Sequence, residues 1–501
     1  ARAAAASGFA TLRMEWLDWR EVALATARRR GCPVLLYVRA ACCRWCHELE
    51  ARVLSDARVA ATIRAHFVAI AVDKDRRPDI DARYQRGGWP TLAYLDDQGE
   101  LIASDSFLEA PQLLARLDLV AGYWLENRDT IRRRLAEAAE STTPSTTVQR
   151  GELSREILDN VARMLLDTSD PVHGGWGAQH KFPHPEAIDF ALIRWSQTGD
   201  EAMRKLVLRT LRNMQAGEIH DKVDGGFYRY ATAPDWSGPH HEKVLDSNAQ
   251  RLFAYLESFQ ALGDASFRAT AEDILSFLTT TLLDPETGAF RGSQDADPAY
   301  AHLTTPAARR AHGAPPCDAT VFANWNAMAV SSLLKASVVL ERSEPRAQAL
   351  RTLRFLRDEM HDERDGFYHY WDGTYHLPGM LTDQAYGLRA LIDAVQFTGD
   401  SEYLDTARTL ARSTVTTLRS EHGGFWDMRH DPGARGSLRR RVRSLLENSV
   451  MAEALLRLAH FTRESEWADV AHETLASFAL DYRSGGQVVA GYARAVDLWL
   501  H

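Results

Sequence analysis

Glycine–aromatic turns punctuate the chain at Gly174-Gly175-Trp176, Gly225-Gly226-Phe227, Gly288-Ala289-Phe290, Gly366-Phe367 and Gly423-Gly424-Phe425, with a weaker sixth turn at Gly485-Gly486. Amphipathic stretches of helical spacing lie between them, at 186–196, 243–261, 322–340 and 447–461. Shorter breaks, Thr198-Gly199-Asp200, Leu262-Gly263-Asp264 and Thr398-Gly399-Asp400, interrupt the helical patterns. The chain beyond residue 150 therefore divides into six units of about 58 residues, room for two helices and their loops. Glycine supplies the positive φ that such turns need. Six helical hairpins close into an (α/α)6 toroid with a central cavity; an open helical array is the alternative use of the same units.

The first 140 residues follow a different rhythm. Residues 15–30 read as a helix, Pro33 to Val38 as a strand buried on both faces, Cys43 to His66 as a long helix, and Phe67 to Val72 as a second buried strand. Pro78 marks a helix start. Thr91 to Leu95 and Leu101 to Ala103 form a hairpin across Asp97-Gln98-Gly99, and 111–140 is helical again. This order is thioredoxin-like. The fold class is thus an α/β thioredoxin-like domain at residues 1–140 followed by an all-α toroid at 151–501. The polar segment Ser141 to Thr147 places the linker at 141–150, an ordinary surface loop being the alternative.

Composition narrows the function. The net charge of −9 gives no generic attraction to nucleic acid or anionic lipid. No run of about 18 apolar residues is present, so neither a membrane span nor a nucleic-acid partner is expected. The sequence begins at Ala1 rather than at a methionine, which leaves the compartment open; cytoplasmic is slightly favoured over exported. Of the five cysteines, Cys42, Cys43 and Cys46 cluster while Cys32 and Cys317 stand apart, a pattern of chemistry rather than stapling.

Cys43-Arg44-Trp45-Cys46 follows a buried strand and opens a helix. A thiol at a helix N-terminus meets unpaired N–H groups and the positive end of the dipole, which favour the thiolate; Arg39 and Arg44 add to this if close. Cys43 is then the nucleophile, and Cys46, one turn on and more buried, the resolving thiol. Trp45 and His47 flank Cys46; Trp45 and Trp89 are candidate substrate-binding residues, and His47 relays a proton or caps a turn. Trp89-Pro90 precedes the third strand, where a cis-proline faces the dithiol in thioredoxin folds. A zinc site on Cys42, Cys43, Cys46 and His47, or chemically inert cysteines, are the alternatives.

The stretches Cys43-Arg44-Trp45-Cys46-His47, Asp73 to Asp79 and Gly87-Gly88-Trp89-Pro90 resemble the thioredoxin-like domain of unknown function in bacterial YyaL-type proteins and in the animal spermatogenesis-associated thioredoxin-like protein. The resemblance continues through Lys181 to Pro185, Asp221 to Phe227, Pro239 to Lys243, Gln294 to Asp297, Asn324 to Asn326 and Asn448 to Val450. It implies a thioredoxin-like domain joined to a six-hairpin barrel similar to glycosidase and sugar-epimerase barrels. The chain departs from the family pattern at Arg44, His180 and His241, where His, Pro and Phe are usual, and lacks a Gly-Thr-Tyr-Phe-Pro segment after Pro90.

In the barrel, Asp221, His240, Glu242, Asp246, Asp295, Asp297 and Asp383 are the candidate substrate-binding acids and imidazole, with Trp325 among the aromatic faces. Carboxylates beside aromatic platforms suit carbohydrate chemistry, in which paired carboxyl groups serve as acid and base; capping helices and tying loops is the structural alternative. Gln294-Asp295-Ala296-Asp297 lacks the glycine and distal glutamate of an EF-hand loop, so no metal is expected, and no dinucleotide fingerprint calls for a cofactor. The first function is a thiol–disulfide oxidoreductase whose barrel binds a substrate or partner, either a protein thiol or disulfide or a small carbohydrate-like molecule. A carbohydrate hydrolase or epimerase with a redox-regulatory domain, and a non-catalytic interaction protein, are the alternatives.

Overall fold

The computed structural model describes residues 15–141 and 149–501. The chain divides into two units, one of residues 1–145 with 430–441, the other of 146–429 with 442–501. The expected linker lies largely outside the described residues.

The first unit contains α1 (Glu21–Arg30), β1 (Val34–Arg39), α2 (Arg44–Glu48), α3 (Ala57–His66), β2 (Val68–Asp73), α4 (Pro78–Tyr84), β3 (Thr91–Leu95), β4 (Leu101–Asp105) and α5 (Ala110–Ser141). The sheet order is β2-β1-β3-β4, with β1 parallel to β2 and antiparallel to β3. Central β1 is buried at every position, which is why it reads as an unbroken apolar run. Two helical boundaries differ from the sequence reading. Residues 15–20 are not helical: Leu17 hydrogen-bonds along Ala69 and Ala71 at the edge of β2, and α1 starts only at Glu21. The span 43–66 is also not one helix. Its first helix passes into a π-helical stretch at Leu49–Leu54, and Asp56 then caps α3 by accepting the N–H groups of Arg58 and Val59.

Residues 430–441 complete this unit, although the sequence reading places them in the barrel. Tyr84 Oη donates to the Gly99 carbonyl at 2.6 Å and accepts the Ser437 N–H at 3.0 Å; Glu100 pairs with Arg439 at 2.7 Å and Arg440 at 3.1 Å. Gly436 has φ +56°, and a Cβ there would run into the Gly99 carbonyl. Nothing in the local pattern of 430–441 announces a partner so distant in sequence.

The second unit contains α6 (Arg155–Thr168), α7 (Pro185–Thr198), α8 (Glu201–Ala216), α9 (Leu245–Leu262), α10 (Ala265–Phe277), two short helices α11 (Pro298–Ala301) and α12 (Pro306–His312), α13 (Ala323–Val339), α14 (Ser343–Met360), α15 (Leu381–Thr398), α16 (Ser401–Leu418), α17 (Leu445–Thr462), α18 (Ser465–Ala476) and α19 (Val489–Leu500). An inner ring α7-α9-α13-α15-α17-α19 closes because α19 packs on α7. Each inner helix carries one outer helix: α8, α10, α14, α16 and α18 follow their inner partners, and α6 covers α19. Inner α15 is buried almost all round, whereas outer α14 buries only a stripe spaced three or four apart. The short breaks are helix joints. Gly199, Gly263 and Gly399 end inner helices in the left-handed region, and Asp200, Asp264 and Asp400 cap the next helix.

The glycine–aromatic turns have a common lock. The fourth residue of four inner helices is an amide, and it accepts the N–H and donates to the C=O of the aromatic residue. The pairs are Asn248 with Phe227, Asn326 with Phe290, Gln384 with Phe367, and Asn448 with Phe425, all at 2.7–3.0 Å. A Cβ on Gly366 would strike the Gln384 side-chain oxygen, so the turn needs glycine both for its φ and for this approach. The Asn324–Asn326 and Asn448–Val450 motifs therefore carry turn-locking residues. No helix among the described residues is long and apolar enough to cross a membrane.

Candidate functional site

The dithiol sits where β1 ends and α2 begins. Cys43 is the N-cap of α2, with extended backbone, and its sulfur accepts the Cys46 N–H at 3.3 Å. The same sulfur lies 3.8 Å from the Trp89 carbonyl oxygen, and the Trp89–Pro90 peptide is cis. Ala40, Cys43 and Cys46 pack together with Trp89 against them. Cys43 and Cys46 are not joined by a disulfide in this structure, and both are buried, Cys46 completely. Burial first, then the hydrogen bond and charge of Cys43, push the Cys46 thiol well above the usual cysteine range; the Ala40 backbone and the Arg39 guanidinium pull the other way.

The surroundings divide the two arginines. Arg39 is buried and pairs with Glu50 at 3.2 Å, and Tyr37 Oη donates to that same carboxylate oxygen at 3.1 Å. Arg44 instead reaches outward over the Trp45 ring at 6.0 Å. Trp45 is exposed and meets Phe107 edge-on. Trp89 is held by its N–H to Asp81 at 2.7 Å and by Lys74 over its ring at 4.8 Å. His47 Nε2 lies 2.8 Å from the Ala41 carbonyl, so the imidazole ties the turn that carries the cysteines.

The barrel candidates fall into separate clusters. Asp221 is buried between Lys243 at 2.5 Å and Arg309 at 2.6 Å; Arg309 also binds Asp224, which accepts from Tyr300. Although burial opposes it, Lys243 and Arg309 hold the Asp221 carboxyl well below the usual carboxylate range. Asp297 caps α11 through the Tyr300 N–H and meets His312 at 3.0 Å. Asp295 donates its backbone N–H to the Pro316 carbonyl, and Asp246 lies in the first turn of α9 and accepts the Ser247 N–H. Asp383 accepts from His369 Nδ1 and from the Asn324 N–H, all of it buried. Trp325 packs on Phe322. His240 stacks on Tyr230 and lies 3.9 Å from Glu242, which is 2% exposed and has one buried oxygen without a hydrogen-bond partner. Asp221 and Asp297 are linked through Arg309, Asp224 and Tyr300, while Asp383 is tied to His369 and Asn324.

The space inside the ring is lined by residues the sequence reading passed over. A cavity of about 90 Å³ is bounded by Glu186, Asp189, Tyr386, Arg389, Glu453 and Arg494, among others, and by none of the acids named above. Arg494 bridges Asp189 at 3.2 Å and Glu453 at 2.7 Å, and Arg457 pairs with Asp393 at 2.6 Å. The available signal was charge inside otherwise apolar inner helices, as in Asp189 of α7 and Arg494 of α19.

Residues 7–143 match the family described as "Thioredox_DsbH: Protein of unknown function, DUF255". The chain is 29% identical over 313 residues to spermatogenesis-associated protein 20 of Rattus norvegicus, covering 57% of this chain and 39% of that protein. The human protein of the same name is 28% identical over 308 residues, with 57% and 39% covered. This chain thus spans about two fifths of the length of these curated relatives. In fold, 69% of the chain superposes on 98% of the cellobiose 2-epimerase from Spirochaeta thermophila DSM 6192, with TM-score 0.55 and 15% identity. A D-mannose isomerase gives the same coverage and TM-score at 11% identity. The first domain is therefore similar to the thioredoxin-like DUF255 family, and it is followed by a six-hairpin toroid with the fold of these epimerase and isomerase barrels.

Proposed function

We propose that the protein is a thiol–disulfide oxidoreductase whose toroid binds the substrate or a partner. The observation that carries this reading is the Cys43 sulfur at the start of α2, receiving the Cys46 N–H and lying against the Trp89–Pro90 segment. A peptide N–H aimed at sulfur stabilises the thiolate over the thiol. In the reducing direction, the Cys43 thiolate attacks one sulfur of a substrate disulfide. The S–S bond breaks, the first substrate thiolate leaves and takes up a proton, and a mixed disulfide remains. Cys46 then loses its proton and attacks the Cys43 sulfur. The second substrate thiol is released and a Cys43–Cys46 disulfide forms. Two electrons have passed to the substrate, and an external dithiol restores the enzyme.

The elevated Cys46 thiol supports this division of roles: it stays protonated while Cys43 attacks, and its proton is removed only when resolution is due. Trp45, exposed beside Cys43, and the Trp89 carbonyl supply the rim on which an extended substrate segment lies. The test is reduction of insulin disulfides with dithiothreitol as electron source. Wild type is expected to accelerate it, Cys43→Ser to fall to the uncatalysed rate, and Cys46→Ala to accumulate mixed disulfides that dithiothreitol releases. Equal rates for wild type and Cys43→Ser would remove the proposal.

A further inference from the structure

The cavity inside the toroid holds a distinct set of groups, independent of the dithiol. Arg494 and Arg457 are neutralised by carboxylates within ion-pair distance. Arg389, on α15 between them, has no carboxylate within 4 Å among the described residues. Its guanidinium lies 4.9 Å from the Tyr386 ring, and its Nε is buried without a hydrogen-bond partner. Opposite charge is close without being joined: Asp189 turns one oxygen to Arg494, while its Oδ1 is buried and unpartnered. Gln250 and Tyr386 complete the polar side of the wall, and Phe253, Leu446 and Val450 form an apolar side.

Buried polar groups without partners cost about 1–3 kcal/mol each, so a wall that leaves two unmet is complete only with polar matter inside it. We propose that this cavity binds a small hydroxylated carboxylate, its carboxylate on Arg389, its hydroxyls shared by Asp189, Gln250 and Tyr386, and its carbon chain on the apolar side. A guanidinium presents two parallel N–H groups that match a carboxylate. Residues in the first turns of three inner helices, Pro185, Leu446 and Gly491, also line the cavity. Burial lifts the Asp189 carboxyl to about 7 against the pull of Arg494 and Arg389, which lets it donate to a hydroxyl as well as accept near neutral pH. Size limits the ligand. At about 10–15 Å³ for each water-sized unit, about 90 Å³ holds roughly six to nine non-hydrogen atoms, a hydroxy acid of three or four carbons.

The test is calorimetric titration and thermal unfolding of the full chain with L-threonate and D-glycerate, with erythritol and glycerol as neutral counterparts. The acids are expected to bind and to raise the melting midpoint, and the neutral polyols to bind at least about tenfold more weakly. Arg389→Met is expected to weaken threonate at least about tenfold. Arg389→Lys, which keeps the charge and loses the fork, serves if the methionine variant fails to fold, and is expected to weaken threonate about threefold or more. No heat or midpoint shift with either acid up to about 10 mM would overturn the proposal. So would erythritol binding as tightly as threonate, or unchanged threonate binding in the arginine variants. None of these readouts involves the cysteines, so failure here leaves the oxidoreductase reading untouched.

Discussion

The dithiol turn and the glycine–aromatic turns each set a polar side chain at the start of a helix, and they use it in opposite ways. In the toroid, Asn248, Asn326, Gln384 and Asn448 give both ends of their amides to the backbone of the turn, and each also donates to the carbonyl four residues back. At α2 the capping atom is sulfur, a poor hydrogen-bond acceptor, receiving one N–H at 3.3 Å. An amide or carboxylate would cap that helix better. Sulfur caps it weakly, and under the proposed function it is the attacking atom. The same contrast separates Asp221, clamped by two cations, from Asp189, which keeps one oxygen unmatched beside a cavity. The four amides and Asp221 have both ends of their polar groups matched, whereas Asp189 keeps one oxygen unmatched.

The comparison breaks first at Cys43. Cys43→Ser is expected to reduce disulfide turnover at least about 100-fold, with the melting midpoint within about 3 °C of wild type. A large loss of stability would make Cys43 a structural cap like the amides. Asp221→Leu should do the reverse. Leaving Lys243 buried without its carboxylate, and Arg309 with Asp224 alone, costs about 3–5 kcal/mol in urea unfolding, while insulin reduction per folded molecule stays unchanged.

Asp189 sharpens the contrast through pH. Its folded value of about 7 lies above the ordinary 3.8. The stability it contributes is therefore complete below about pH 4 and is lost as pH rises through about 7. Glu257 and Glu186 add to the upward shift, and Arg494 and Arg389 oppose it. Between pH 4 and 8 wild type should lose up to about 4 kcal/mol relative to Asp189→Asn; parallel stability curves would contradict the assignment. The smallest effect is expected at one turn lock. Asn326→Leu leaves the buried Phe290 N–H and C=O unsatisfied and should lower unfolding free energy by about 2 kcal/mol; no loss would mean that the lock is decorative.

Much of the fold was legible because local pattern and tertiary role agree. The run at Val34–Arg39 is apolar because both faces of the sheet are covered, and the glycine–aromatic repeat exists because each hairpin needs the same tight return. The meeting of Cys43, Cys46 and Pro90 at one end of the sheet was legible because the thioredoxin-like order sets the end of β1 beside the start of β3. The misreadings share a cause. Leu17 joins the sheet edge and Gly436 packs on Gly99 through contacts whose partners lie far along the chain, which periodicity does not report. Asp221, Asp297 and Asp383 drew notice as acids near turns, yet each meets a cation, an imidazole or a backbone N–H that the sequence does not place beside it. The cavity groups were hidden for the opposite reason. Asp189, Arg389 and Arg494 sit in three different, mostly apolar helices, and only ring closure brings them together.

The order of thiol alkylation tests the account most directly. With the reduced native chain at pH 7 and limiting iodoacetamide, followed by mass spectrometry of peptides, Cys43 should be modified first, with Cys46 slower by about tenfold or more. Simultaneous sluggish labelling of both, or Cys46 reacting ahead of Cys43, would contradict the assignment of nucleophile and resolving thiol.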